Sequence, residues 1–141
     1  MNATIRETRD LKTCFALRHS VFVEEQNVPI EEEQDELDLT ATHLLAEQNG
    51  APVGTARIVF QDDVAKIGRV CVLKDARGTG LGAELIKAAV RIANTSAGVS
   101  KARLGAQLRA RAFYERLGFT AFGPVYMDAG IEHQDMERTL P

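Results

Sequence analysis

The chain has 141 residues, of which 45% are hydrophobic and 26% charged, and carries a net charge of −3. That is the length of one domain, 1–141, with enough apolar content for its own core, and the mild acidity speaks against nucleic acid as a partner. No apolar run reaches the roughly 18 residues of a membrane span, and neither a secretory signal nor metal-ligand spacing among the cysteines and histidines is visible, so a cytoplasmic, metal-free protein is expected.

Residues 3–7 read as a short first strand. Leu11, Cys14, Phe15, Leu17, Arg18, Val21 and Phe22 recur at helical spacing, which predicts a helix over 10–24 with Asp10 near its N-cap. Glu24 and Glu25 fall at its C-terminal end, where the helix dipole disfavours negative charge. Residues 25–40 are acidic and include Pro29, so they read as a loop, with room for a helical turn. No Lys or Arg stands between Arg18 and Arg57, while Glu24, Glu25, Glu31, Glu32, Glu33, Asp35, Glu36, Asp38 and Glu47 all do. Such a block is either a solvated surface or the seat of a cationic substrate.

A strand over 42–47 begins near His43. Asn49-Gly50 is the strongest hairpin signal in the chain, because both central residues of a type I′ turn need positive φ. Strands over 52–60 and about 65–73 follow, with Asp62-Asp63 as the turn between them. Cys14 and Cys71 lie in apolar settings and read as buried, inert thiols of a reducing compartment.

The strand ending Arg69-Val70-Cys71-Val72-Leu73 then runs into Arg77-Gly78-Thr79-Gly80-Leu81-Gly82, and that loop opens a helix. The helix is predicted over 80–94, with Leu81, Leu85, Ala88, Ala89 and Ile92 on one face and Glu84, Lys87 and Arg91 on the other. Glycines let successive N–H groups point inward and a helix N-terminus adds partial positive charge, so the loop has the layout of an anion cradle. A P-loop would place Lys-Ser/Thr after the last glycine, but Ala83 and Glu84 stand there. A dinucleotide fingerprint needs Gly-x-Gly-x-x-Gly, and this loop reads Gly78-x-Gly80-x-Gly82. A short strand over 102–107, a short helix over 109–117 closed by Gly118, and strands near 119–127 and 133–139 complete the order β-α-β-β-β-α-β-α-β-β.

Arg77, Gly80 and Gly82 match the pattern Arg/Gln-x-x-Gly-x-Gly/Ala, and Phe113-Tyr114-Glu115-Arg116-Leu117-Gly118-Phe119 supplies a second motif downstream. Together they resemble the GNAT-type N-acetyltransferases. The element order is also that of the GNAT fold, an α/β architecture whose mixed, largely antiparallel sheet of six to seven strands is flanked by helices. Leu17 through Gln26, Asp35-Glu36-Leu37-Asp38, Ala41-Thr42-His43-Leu44 and Gly130-Ile131-Glu132-His133 resemble the ElaA-like branch.

The resemblance implies transfer of an acetyl group from acetyl-CoA to a primary amine, by direct attack in a ternary complex. A non-catalytic acyl-CoA-binding or regulatory module on the same fold is the alternative. It implies that backbone groups of Val70, Cys71 and Val72 hold the pantetheine arm, with Gln107 as a further hydrogen-bonding partner. Arg77, Gly78, Thr79, Gly80, Leu81 and Gly82 would bind the pyrophosphate. Tyr114, beside the cofactor sulfur, would donate a proton to the leaving thiolate, its ordinary pKa being about 10. Glu24, Glu25, Glu36, His43 and His133 are the candidate bases. Of these, His43 and Glu25 are assigned to catalysis with Tyr114, and Glu24, Glu36 and His133 to binding the acceptor. That acceptor is a small-molecule or peptide amine, cationic if the acidic block receives it. A homodimer is suggested by likeness alone.

Overall fold

In the computed structural model, which describes residues 3–141, seven strands form one mixed sheet. They are β1 (Ala3–Thr8), β2 (Thr42–Gln48), β3 (Ala51–Gln61), β4 (Val64–Val72), β5 (Lys101–Gln107), β6 (Thr120–Asp128) and β7 (Ile131–Thr139), in the order β1-β2-β3-β4-β5-β7-β6. Every pairing is antiparallel except β4 with β5. Asn49 and Gly50 take φ of 54° and 81°, as a type I′ hairpin requires.

Helix α1 (Leu11–Arg18) starts where Asp10 accepts hydrogen bonds from the Thr13 backbone N–H and hydroxyl. The predicted helix to residue 24 continues as a π-helical segment, His19–Glu25. Apolar spacing reads alike in the two, so the pattern finds the helix and misses its widened turns. The predicted acidic loop contains α2 (Ile30–Glu33) and a 3₁₀ turn, Glu36–Leu39, opened by reciprocal bonds between Asp35 and Asp38.

Helix α3 (Leu81–Asn94) buries Leu81, Leu85, Ile86, Ala88, Ala89 and Ala93 against one sheet face, on Leu44, Ala46, Ala56, Ile58, Ala65 and Ile67. On the opposite face Leu17 and Val21 pack on Leu45 and Cys71. Helix α4 (Arg111–Arg116) follows a 3₁₀ turn, and Gly118 closes it with φ of 92°.

One irregularity opens the sheet. Arg69 takes φ of 51°, and the β3–β4 register slips between Thr55 and Arg57, which marks a bulge in β4. Strands β4 and β5 pair only where Val64–Lys66 meets Lys101–Arg103. Beyond that point β5 continues to pair with β7 alone, and the far half of β4 has no strand on that edge.

Candidate functional site

The gap between β4 and β5 is the mouth of a cavity of about 720 Å³. The β4 edge contributes Ile67, Gly68, Arg69 and Val70, and the helical side contributes Ala110 and Tyr114. Phe22, Gln26, Val28, Glu32 and Glu33 line it from the α1 side, and Tyr126 and His133 from β6 and β7. The cavity thus reaches both faces of the sheet through the splay.

The start of α3 is not part of the cavity lining; it meets α4 next to Tyr114, where a Cβ on Gly82 would lie 3.9 Å from the Phe113 ring. The N-cap of α3 is Gly80, and no side chain caps it. Among the described residues, the N–H groups of residues 78–83 find no backbone acceptor, and the first helical bond runs from Glu84 N–H to Gly80 O. Gly78 and Gly80 take φ of 80° and 83°, and a Cβ built on either would meet no heavy atom within 4 Å. The glycines are therefore not demanded by crowding within the protein. They leave an open, donor-lined, electropositive cradle that suits a diphosphate. Leu81 contributes only its backbone there, since its side chain is in the core, and the Thr79 hydroxyl is turned inward, donating to Ala76 O at 2.8 Å.

Arg77 frames the loop. Its Nε donates to Val72 O at 2.9 Å and its Nη2 to Glu25 Oε1 at 2.7 Å. That pairing corrects the expectation for Glu25: its carboxylate is taken up by Arg77 outside the cavity lining, and the hydrogen bond and charge of Arg77 hold it below the usual range. Three further expectations are corrected. His43 is buried and absent from the cavity wall, its Nε2 2.9 Å from Asp38 O; its register neighbour Arg57 does line the cavity, but β2 lies one strand further from the splay than β3. Glu24 is exposed, 4.0 Å from His19 Nδ1, and Glu36 is exposed on its 3₁₀ turn; neither lines the cavity.

Of the expected site residues, Val70, Gln107, Tyr114 and His133 come together around the cavity. Gln107 Nε2 donates to Gln26 Oε1 at 3.3 Å, and Arg109 Nε donates to Gln107 Oε1 at 3.0 Å, which accounts for two polar residues at the end of β5. Cys71 faces away from the gap, and burial pushes its thiol up to about 12, so it is no nucleophile. The chain has two tyrosines. The Tyr126 hydroxyl is committed to Asp135 Oδ1 at 2.7 Å, whereas Tyr114 is shifted up by burial alone and has no side-chain partner acting on it. Tyr114 is held edge-on to Phe113 and Phe119, at 5.0 and 6.2 Å between ring centroids. A phenol in that setting keeps its proton at neutral pH and can only give it.

A buried ionic cluster supports the α1 side of the cavity. Arg18 is 1% exposed and donates from Nε to Glu33 Oε2 at 2.8 Å and from Nη1 to Asp38 Oδ1 at 2.7 Å. Arg57 Nη1 reaches Asp35 at 2.7 Å and Asp38 at 3.0 Å, and Arg69 Nε reaches Glu33 O at 3.0 Å. Burial opposes ionisation of Asp38, but the Arg18 hydrogen bond, the Asp35 N–H and nearby positive charge outweigh it and lower the pKa to about 2. Much of the acidic block is thus neutralised from within. A sequence signal existed: Arg18 sits in the apolar register of α1, ahead of a stretch with carboxylates and no other cation.

The family description "Acetyltransferase (GNAT) domain" matches residues 10–140. The uncharacterized N-acetyltransferase YjcF of Bacillus subtilis (strain 168) is 39% identical over 138 residues, 96% of this chain and 98% of that protein. The crystal structure of Escherichia coli ElaA superposes with a TM-score of 0.87 at 31% identity, covering 97% of this chain and 99% of that one. An acyl-CoA N-acyltransferase from Pseudomonas aeruginosa superposes with a TM-score of 0.86 at 33% identity, over 97% and 98% of the two chains.

Proposed function

The chain belongs to the acetyltransferase (GNAT) family, a family that uses acetyl-CoA, and we propose that it transfers the acetyl group of acetyl-CoA to a primary amine by direct attack in a ternary complex. The observation that carries this reading is the splay of β4 from β5 next to an uncapped, glycine-lined helix start. The cradle at residues 78–82 takes the pyrophosphate through backbone N–H groups. The edge of β4 at Val70, which no strand covers, offers main-chain groups to the amide-bearing pantetheine arm. That arm then enters the gap with its thioester toward Tyr114.

Catalysis on this reading is chiefly positioning of two substrates in one cavity, which removes the entropic cost of their encounter. Tyr114 adds acid catalysis. When the C–S bond breaks, its hydroxyl supplies a proton to the departing sulfur, and burial keeps that proton in place until it is needed. Among the described residues no group of three or more His, Cys, Asp or Glu side chains is placed to hold a metal, and the scheme needs none.

The test is calorimetry with acetyl-CoA, CoA and ATP, followed by thiol release from acetyl-CoA over a panel of primary amines. Both CoA species are expected to bind, and ATP at least tenfold more weakly. Tyr114→Phe is expected to lower kcat by about 10² with acetyl-CoA affinity unchanged. Binding of neither CoA species would overturn the reading. Binding without thiol release from any amine would favour the non-catalytic module.

A further inference from the structure

We propose that His133 is the group that takes the proton from the acceptor's ammonium, a role that rests on the transfer reading above. His133 is half-buried on β7 and lines the same cavity as Tyr114. Its Nδ1 lies 2.7 Å from the carbonyl oxygen of Ile131. A carbonyl oxygen only accepts, so Nδ1 carries the hydrogen. In the neutral ring Nε2 then holds the lone pair, and among the described residues it has no hydrogen-bond partner. The fold therefore fixes the tautomer and leaves the basic nitrogen for a ligand.

The ring is also fixed in orientation. It stacks on Tyr126 at 5.9 Å between centroids and 23° between planes, and Tyr126 is anchored by its bond to Asp135. Gly105 makes room for that anchor: a Cβ there would lie 2.5 Å from the Tyr126 hydroxyl. Gln107 is the register neighbour of His133 across β5–β7, and it bonds Gln26 from the segment after α1. His133 thus lines the cavity from β7, with Tyr114 in the same lining. The other ionisable groups around it are Tyr126 and Asp128 on β6, Glu132 and Asp135 on β7, and Arg109 and Arg111 beyond β5. Asp135 is engaged by Tyr126, Arg109 by Gln107 and Arg111 by Gln134, while Asp128 shares the cavity lining with His133.

The step balances as follows. The ammonium R–NH₃⁺ gives one proton to Nε2, forming an imidazolium. The freed nitrogen pair forms the C–N bond, and the C–S pair leaves on sulfur, which takes the Tyr114 proton. The phenolate recovers the surplus proton from the new amide nitrogen, and the imidazolium returns its proton to water.

The experiment uses the intact chain with CoA bound and the best primary amine from the panel as probe. Nitrogen-15 imidazole spectra of the neutral ring are expected to show His133 as the Nδ1–H tautomer; an Nε2–H ring would overturn the proposal. His133→Gln is expected to lower kcat/KM by about 10²-fold and to abolish the acidic limb of its pH profile, with acetyl-CoA affinity unchanged. An acidic limb that survives in His133→Gln would overturn the proposal while leaving the transfer reading intact. No thiol release by the wild type with any amine would overturn both.

Discussion

Arg18 shows what a single side chain decides here. Its guanidinium sits over the Phe15 ring at 5.0 Å and divides its hydrogen bonds between Glu33 and Asp38, both nearly sealed from solvent. Taking such charges out of water is expensive, and mutual attraction only offsets that cost while every partner is present. Removing one partner is therefore worse than removing the set. Arg18→Met retains the apolar packing of the stem but leaves two buried carboxylates facing Arg57 and Arg69 alone. The variant is expected to lose about 3–5 kcal/mol of stability in urea unfolding. A loss under about 1 kcal/mol would mean that the cluster relaxes or hydrates without cost. This residue also marks a limit of reading the chain. The acidic block was visible as composition, but composition does not say that Glu33, Asp35 and Asp38 turn inward to three arginines drawn from α1, β3 and β4.

At the scale of elements, the start of α3 can be tested separately from the stability of the fold. Gly80 needs a left-handed backbone, yet the space around its Cβ position is empty. Asp tolerates that backbone better than most residues. Gly80→Asp is therefore expected to cost only about 1–2 kcal/mol in stability. It places a carboxylate where the proposed pyrophosphate would lie, so CoA affinity by calorimetry is expected to fall by at least 100-fold. Unchanged affinity in a folded variant would show that this loop does not hold the phosphates. The cradle was legible because glycine spacing and a following amphipathic helix are local features. The hairpin at Asn49-Gly50, the Asp10 cap and the end of α4 at Gly118 were legible for the same reason. The bulge at Arg69 was not. A non-glycine residue with positive φ in mid-strand carries no sequence mark, and it is imposed by partners 36 and 34 residues away, Glu33 and Asp35. His43 was misread for a related reason: strand alternation puts it on the same face as Arg57 but does not say that β2 lies two strands away from the splayed edge of β4.

At the scale of the whole molecule, the ionic cluster joins the helical segment after α1 to β3 and to the β4 bulge, and β4 is one of the two strands that border the splay. Arg57 on β3 and Arg69 on the β4 bulge both end on residues 33–38, so the β4 side of the cavity mouth is fastened to carboxylates. Those carboxylates set a direction for pH. Asp38 is lowered from an ordinary 3.8 to about 2 in the folded chain, and Asp35 is lowered too by Arg57 and Arg69 against the opposing effect of burial. A carboxylate with a depressed folded pKa binds fewer protons folded than unfolded, so stability rises with pH across that interval. The contribution is present in full above about pH 4 and is lost as pH falls toward 2, amounting to about 2 kcal/mol for Asp38 alone. Unfolding free energies measured between pH 5 and 2 are expected to fall with acidification. The same series on Asp38→Asn, starting from a lower plateau, is expected to be flatter by that amount. Parallel curves for the two proteins would mean that Asp38 titrates normally and the cluster is not the acid-sensitive joint. If the slopes differ as expected, the acid sensitivity belongs to the contacts that fasten the β4 bulge at the splay, and ligand binding should weaken in the same interval before the chain unfolds.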